Sequence, residues 1–231
     1  MLRPYEAKYV KMRRRKENLL DLRPSGFAEK TIQERIRRAL MRMPRRVSAA
    51  FDRRAAVVLP LCNVGGVPAV LFEKRAPHLR AHPDEVCLPG GMVSAGDDKS
   101  IVETCLREME EEIGGIPHDA IRVLGVLRCN WGEVHHLTGV AVTPVVCYIG
   151  EVSDLDLRPS PDEVAECFTV PLGSFLERDR WVHREGFAPI FTGGPHPIWG
   201  LTGYVLNRFV KDVLARFSIE VPDNSDHSHK S

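Results

Sequence analysis

The sequence predicts a body of interspersed strands and helices, in the α/β or α+β class. Three observations point there. Two apolar runs, Ala55–Leu61 and Val67–Phe72, flank the turn-forming Asn63-Val64-Gly65-Gly66. A helical pattern over Lys99–Ile113 stops at Gly114-Gly115. A second amphipathic helix, Leu201–Phe217, places Val205, Phe209, Val213 and Phe217 on one face.

Residues 1–27 are basic and only weakly periodic, with the run Arg13-Arg14-Arg15-Lys16. Thr31-Ile32-Gln33-Glu34 has the form of a capping box, and Ile32, Ile36, Leu40 and Met43 then recur at helical spacing up to Pro44. The spacing predicts a helix packed on the body with its arginines outward. Lys74–Pro89 reads as a loop rich in His, Arg and Pro, closed by the turn Pro89-Gly90-Gly91. Beyond the central helix, Ile121–Cys129, Gly139–Ile149 and Val164–Val170 read as strands, and Pro171–Glu177 as a short helix. Trp181–Glu185, Phe187–Phe191 and Pro197–Trp199 are candidate short strands. Residues 218–231 are polar and expected to be a disordered tail, leaving 28–217 as the folded domain.

Composition narrows the classes. Of 231 residues, 43% are hydrophobic and 27% charged, enough to build a core and to exclude wholesale disorder. The net charge of +1 conceals an asymmetry: residues 1–46 hold 15 Lys/Arg against 5 Asp/Glu, while the remainder holds 17 against 26. A basic head precedes an acidic body. The six cysteines contain no C-x-x-C pair and lie in apolar stretches, as reduced core thiols do. The longest apolar stretch, Ala55–Phe72, is broken by Pro60, the Asn-Val-Gly-Gly turn and Pro68, so no membrane span is expected.

The chemistry concentrates between Gly91 and Gly114. On a helical wheel at about 100° per residue with Glu108 at zero, Glu111 falls near −60° and Glu112 near +40°. Val102, Cys105, Met109 and Ile113 fill the adjacent core arc, and Glu103, Arg107 and Glu110 the solvent side. Three ionised carboxylates at i, i+3 and i+4 repel one another, near the helix end whose dipole disfavours them. A hard oxygen-binding cation, Mg²⁺ or Mn²⁺, would compensate. Arg107, one turn before Glu111, can hold that carboxylate in place.

This segment resembles the Nudix hydrolase signature G-x5-E-x7-R-E-U-x-E-E-x-G-U, where U is aliphatic. Gly91, Arg107, Glu108, Met109, Glu111, Glu112 and Gly114 occupy matching places. Asp97 stands where the first Glu belongs, separated from Arg107 by nine residues in place of seven, and Gly115 stands where the last aliphatic residue belongs. The preceding segment is similar to the coenzyme A diphosphatase branch, L-L-T-x-R-S/A-x3-R-x3-G-x3-F-P-G-G. It runs from Leu71-Phe72-Glu73-Lys74-Arg75-Ala76 through Arg80 to Pro89-Gly90-Gly91, with Phe72, Glu73, Asp84 and Leu88 departing from the pattern. Arg54–Leu61, Pro161–Glu166 and Ile198–Thr202 also match that branch.

The resemblance implies an α/β/α sandwich around a mixed sheet with a loop–helix–loop catalytic box. It implies Mg²⁺ or Mn²⁺ on Glu108, Glu111 and Glu112, with Arg107 in the catalytic set. Lys74, Arg75, Arg80, Gly90 and Gly91 would bind substrate. The expected reaction is hydrolysis of coenzyme A or acyl-coenzyme A to a phosphopantetheine and adenosine 3′,5′-bisphosphate. Two rivals are another nucleoside diphosphate derivative, capped RNA included, and a non-catalytic binding module, which the intact motif from Arg107 to Glu112 disfavours. A small nucleotide is the expected partner, not nucleic acid. The residues leave the oligomeric state open. Glu133, Glu163 and Glu166 are candidate bases outside the box, and His82, His135 and His136 read as surface or structural histidines. The Arg-rich head favours a mitochondrial address over the cytosol, although Glu6, Glu17 and Asp21 are unusual in a transit peptide.

Overall fold

The computed structural model describes residues 28–43, 53–94, 98–129, 134 and 138–221. The basic head, Asp97, Glu133, His135, His136 and the end of the polar tail lie outside the described residues.

A seven-stranded mixed sheet forms the centre. Strands β1 (Arg54–Val64) and β2 (Val67–Arg75) make the expected antiparallel hairpin, with Val64 opposite Val67. Gly65 and Gly66 form its turn, and both donate their N–H groups to the Glu151 carboxylate, at 2.8 and 2.9 Å. The short β3 (Val86–Cys87) pairs with β2, and β4 (Gly90–Met92) with β1. Helix α1 (Ala28–Arg42) precedes the sheet, and α2 (Ile101–Glu112) follows β4. Then come β5 (Arg122–Val126), β6 (Ala141–Glu151) and β7 (Val164–Pro171). β6 runs parallel to β1, β5 antiparallel to β6, and β7 antiparallel to β2. The ribbon β8 (Trp181–Val182) and β9 (Ile190–Phe191) leads to α3 (Gly200–Phe209), which continues as π-helical turns over Val210–Ala215.

Side-chain alternation divides the core between the two sheet faces. Ala55, Val57, Leu59 and Leu61 pack with Ile36 and Leu40 of α1 and with Val205, Leu206 and Phe209 of α3. Ala56, Val58, Ala69 and Leu71 pack with Cys105, Met109 and Ile113 of α2. Burial on both faces is why β1 reads as an unbroken apolar run. The α/β/α sandwich is therefore the observed architecture. All six cysteines are free thiols, and no helix among the described residues is long and apolar enough to cross a membrane.

Several boundaries differ from the sequence expectation. Helix α1 begins at Ala28, so Thr31 lies inside it and is not its cap. The cap of α2 is Ser100, whose hydroxyl accepts from the Glu103 N–H at 3.2 Å. Strand β2 runs on to Arg75, because Glu73 and Lys74 pair with Cys87 and Val86, so the expected loop starts later. Of the expected tail, residues 218–221 are described: Ile219 is buried, and the Ser218 carbonyl accepts from Arg35 at 2.7 Å.

Candidate active site

The site assembles where α2 ends, β4 turns and β2 leaves the sheet. Helix α2 is held at both ends. Beyond Ser100, its C-terminus closes through the Gly114 N–H onto the Met109 carbonyl at 3.1 Å. The Glu112 and Ile113 carbonyls accept from the N–H groups of Ser160 and Arg158, both at 2.9 Å. Gly115 has φ +69°, and a Cβ there would run into the Asp156 carbonyl. No aliphatic side chain fits, and Ile116, buried next in the chain, takes the apolar place instead.

Arg107 organises the outer side of the helix. Its Nε lies 3.3 Å from Asp98 Oδ1, Nη2 lies 2.8 Å from Glu108 Oε1, and Nη1 donates to Glu111 Oε2 at 3.0 Å. Arg107 keeps the expected solvent exposure in part, and three carboxylates surround it. Asp98 also accepts from the Ser94 N–H at 2.9 Å and the Thr104 hydroxyl at 3.0 Å. The Arg107 hydrogen bonds, joined by that of Ser94, hold its carboxyl down to about 2. Asp98 was invisible to a motif that pointed at its neighbour Asp97; only the doubled acid marked the place.

The three glutamates occupy different environments. Glu111 is exposed, Glu108 is mostly covered, and Glu112 is buried. Glu112 Oε2 accepts the Gly90 N–H at 2.8 Å. A Cβ on Gly91 would collide with the Glu108 carboxylate, so glycine there lets that carboxylate reach β4. Burial, opposed by Arg107, raises the pKa of Glu108.

A second buried carboxylate faces this group. Glu73, 1% exposed, follows Ala69 and Leu71 on the sheet face that α2 covers. Cys87 Sγ–H donates to its Oε1 at 3.0 Å, while Oε2 is buried with no hydrogen-bond partner. Burial, and then their mutual repulsion in the case of Glu112, push both Glu73 and Glu112 upward from the usual carboxylate range. A charged residue at a buried register position of an apolar strand was the available signal for Glu73.

Glu73 and Glu112 share a cavity of about 590 Å³ with Arg75, Gly90, Arg184 and Trp199, within the size range of ligand sites. Arg75 forms no salt bridge among the described residues, and its Nε is buried without a partner. Lys74, on the opposite face of β2, is spent on Asp84 at 3.0 Å. Arg80 is exposed and does not line the cavity. Of Lys74, Arg75 and Arg80, only Arg75 lines this cavity, where Arg184 joins it. Phe187 and Trp199, both exposed, stand at the aromatic end of the cavity. Glu163 is exposed but repels Glu73, Glu108 and Glu112 electrostatically, whereas Glu166 lies 2.9 Å from His196. His82 lies 3.0 Å from Glu85.

The donor set fits a hard divalent cation. It offers carboxylate oxygens only, its buried negative charge exceeds the positive charge beside it, and one buried oxygen lacks a partner. Among the described residues no three His, Cys, Asp or Glu side chains already converge to hold a metal ion. Arg107 draws Glu108 and Glu111 to itself, and Gly90 takes Glu112.

Comparison with known proteins gives the same direction. The model of the NUDIX domain matches residues 52–189. The human mitochondrial coenzyme A diphosphatase NUDT8 is 37% identical over 171 residues, 70% of this chain and 69% of that protein. The mouse protein of the same name is 32% identical over 213 residues, 87% of this chain and 97% of its own. An uncharacterized Nudix hydrolase, NudL, from Photorhabdus laumondii is 36% identical over 178 residues, 74% and 89% of the two chains.

Proposed function

The chain belongs to the Nudix hydrolase family, and from that premise we propose that it hydrolyses the diphosphate of coenzyme A or of an acyl-coenzyme A. The products are a phosphopantetheine and adenosine 3′,5′-bisphosphate. The observation that carries this reading is Arg75, unpaired by any salt bridge, in the wall of a cavity whose other wall is Gly90 and Glu112. The matching arginine of the branch pattern and the activity for which the two mammalian relatives are named support it.

Nudix hydrolases generally use divalent metal ions, and we assign Mg²⁺ or Mn²⁺ to Glu108, Glu111 and Glu112. When bound, the cation supplies Lewis-acid neutralisation of the diphosphate charge. The chain does the rest. Arg107 positions two of the carboxylates, and the Gly90 N–H positions the third. The Arg75 guanidinium binds phosphate oxygens as a fork of donors. The Gly90-Gly91 backbone leaves room for the diphosphate to approach. A water oxygen bonds to phosphorus, the bridging P–O bond breaks, and its electron pair leaves on the departing phosphate. The water proton passes to a base or to solvent.

Residues 28–217 form the catalytic domain in this reading, and the basic segment 1–27 directs the protein to mitochondria, a reading supported by the mitochondrial names of the two mammalian relatives. A reporter fused to residues 1–27 should enter mitochondria; diffuse cytosolic signal would refute the address. The activity is tested with a substrate panel in Mg²⁺ and in Mn²⁺, with products identified by mass. Coenzyme A should yield the two stated products. Cleavage of other nucleoside diphosphates with coenzyme A untouched would overturn the substrate and keep the family.

A further inference from the structure

We propose that Glu73, supplied by β2 from outside the glutamate helix, is a ligand for a divalent cation held between it and Glu112 across the cavity. The inference rests on the reading that the α2 carboxylates bind a cation, and it adds a ligand the helix does not contain.

Four observations carry it. Glu73 is buried to 1% exposure yet keeps Oε2 without any hydrogen-bond partner. A buried oxygen in that state calls for a ligand. The oxygen belongs to a residue lining the same cavity as Glu112 and Gly90. The other oxygen is already fixed, because Cys87 Sγ–H donates to Oε1 and thereby sets the carboxylate's orientation. The surroundings select the charge of the ligand. Glu108, Glu112 and Glu163 all repel a negative Glu73, and Arg75 is the cation that opposes them. A neutral donor would satisfy the oxygen but leave the repulsion, whereas a divalent cation answers both. The flanking thiols do not redirect the choice to a thiophilic metal. Cys87 and Cys167 are the register partners of Glu73 on either side, but Cys87 keeps its proton for the Glu73 carboxylate. Paired carboxylates lining one cavity select Mg²⁺ or Mn²⁺.

Glu73 also departs from the branch pattern, which carries threonine at this place. Threonine has neither the charge nor the reach, so the ligand is a property of this chain. Losing even a residue that hydrogen-bonds a metal ligand weakens affinity by about 10- to 100-fold, and losing a direct ligand should cost at least that.

The experiment titrates Mn²⁺ into the full chain without substrate and reads free Mn²⁺ by electron paramagnetic resonance, for the wild type, Glu73→Gln, Glu73→Thr and Glu112→Gln. The expected result is a 10-fold or greater rise in the Mn²⁺ dissociation constant for all three variants. If Glu112→Gln weakens binding while both Glu73 variants bind as the wild type does, Glu73 is not a ligand and the α2 reading stands. If the wild type binds no Mn²⁺, the α2 reading fails and this proposal with it. Should the Glu73 variants not fold, the wild type decides alone: saturating Mg²⁺ should move the side-chain carboxyl ¹³C resonance of Glu73 together with that of Glu112. A Glu73 carboxyl resonance that stays in place while that of Glu112 moves would overturn the proposal.

Discussion

Lys74 Nζ lies 3.0 Å from Asp84 Oδ1, and Asp84 makes this contact from left-handed backbone, φ 59°. The conformation explains the glycine of the branch pattern at this place, since only glycine adopts it without a steric cost of about 1–2 kcal/mol. Asp is tolerated because its short polar side chain suits this region, and here it also gains a half-exposed ion pair worth about 0.2–1 kcal/mol. Asp84→Gly should therefore leave stability within about 1 kcal/mol of wild type. It should also release Lys74 and leave kcat/KM for coenzyme A equal or higher. A clear fall in kcat/KM, with Tm unchanged, would show that the Lys74–Asp84 pair itself shapes the substrate loop.

Asp98 is predicted to act on the reaction only through Arg107. Asp98→Asn keeps the shape and removes the charge that anchors the guanidinium, so Glu108 and Glu111 lose their shared organiser. The expected result is a fall in kcat of about 10- to 100-fold, the size seen when partners of metal ligands are removed, with KM little changed. Steady-state kinetics at saturating Mg²⁺ check this; a change confined to KM would place Asp98 on substrate binding instead.

Stability of the metal-free protein should decline as pH rises. Glu73 and Glu112 titrate above the usual carboxylate value in the folded chain. The folded state therefore binds more protons than the unfolded one across that window. The stabilisation is complete below the unfolded value near 4.5 and is lost as pH climbs through the folded values. Each tenfold bias between the two protonation states is worth about 1.4 kcal/mol, or about 3–6 °C in Tm for a chain of this size. Melting curves in EDTA at pH 5.5 and pH 8.5 should differ by at least that much. Glu112→Gln should flatten the difference, abolish most activity, and raise the metal-free Tm at pH 8.5. A pH-independent Tm in the wild type would contradict the burial of these charges.

Arg75 and Arg80 should separate cleanly. Arg75→Ala removes a charged donor beside Glu112 and Gly90 in the cavity and should lower kcat/KM for coenzyme A by roughly 10- to 150-fold, the value of a charged hydrogen bond of about 1.5–3 kcal/mol. Arg80→Ala should change it less than about threefold, since exposed polar contacts are worth little. If Arg80→Ala instead damages coenzyme A turnover and spares dephospho-coenzyme A, Arg80 reads the 3′-phosphate in the bound state.

The sheet was legible because β1 and β2 announce themselves by apolar runs around a Gly-Gly turn, and α2 by its period and its terminal glycine. The glutamate helix was legible for the same reason, and the Arg107–Glu111 contact followed from i, i+4 spacing. What the sequence hid depends on chain crossings. Nothing local says that Glu73 of β2 and Glu112 of α2, residues on different elements, come to line one cavity. Lys74 and Arg75 are neighbours in sequence with opposite fates, because strand alternation sends one to Asp84 and the other into the cavity. Thr31 does not cap α1, which starts at Ala28, and the cap at Ser100 belongs to a different helix, α2.

The backbone latch from Ser160 and Arg158 onto the last turn of α2 has a thermodynamic consequence. Helix ends ordinarily fray, and a ligand that binds a frayed end must first order it, at about 1–2 kcal/mol of conformational entropy per residue. Here the turn bearing Glu111 and Glu112 is fixed by a segment more than 40 residues further along the chain, so an incoming cation reorients side chains only. Ordering of that turn is thereby transferred from the binding step to the folding of the domain, and slow hydrogen exchange at the Ser160 and Arg158 amides in the metal-free protein would be its signature.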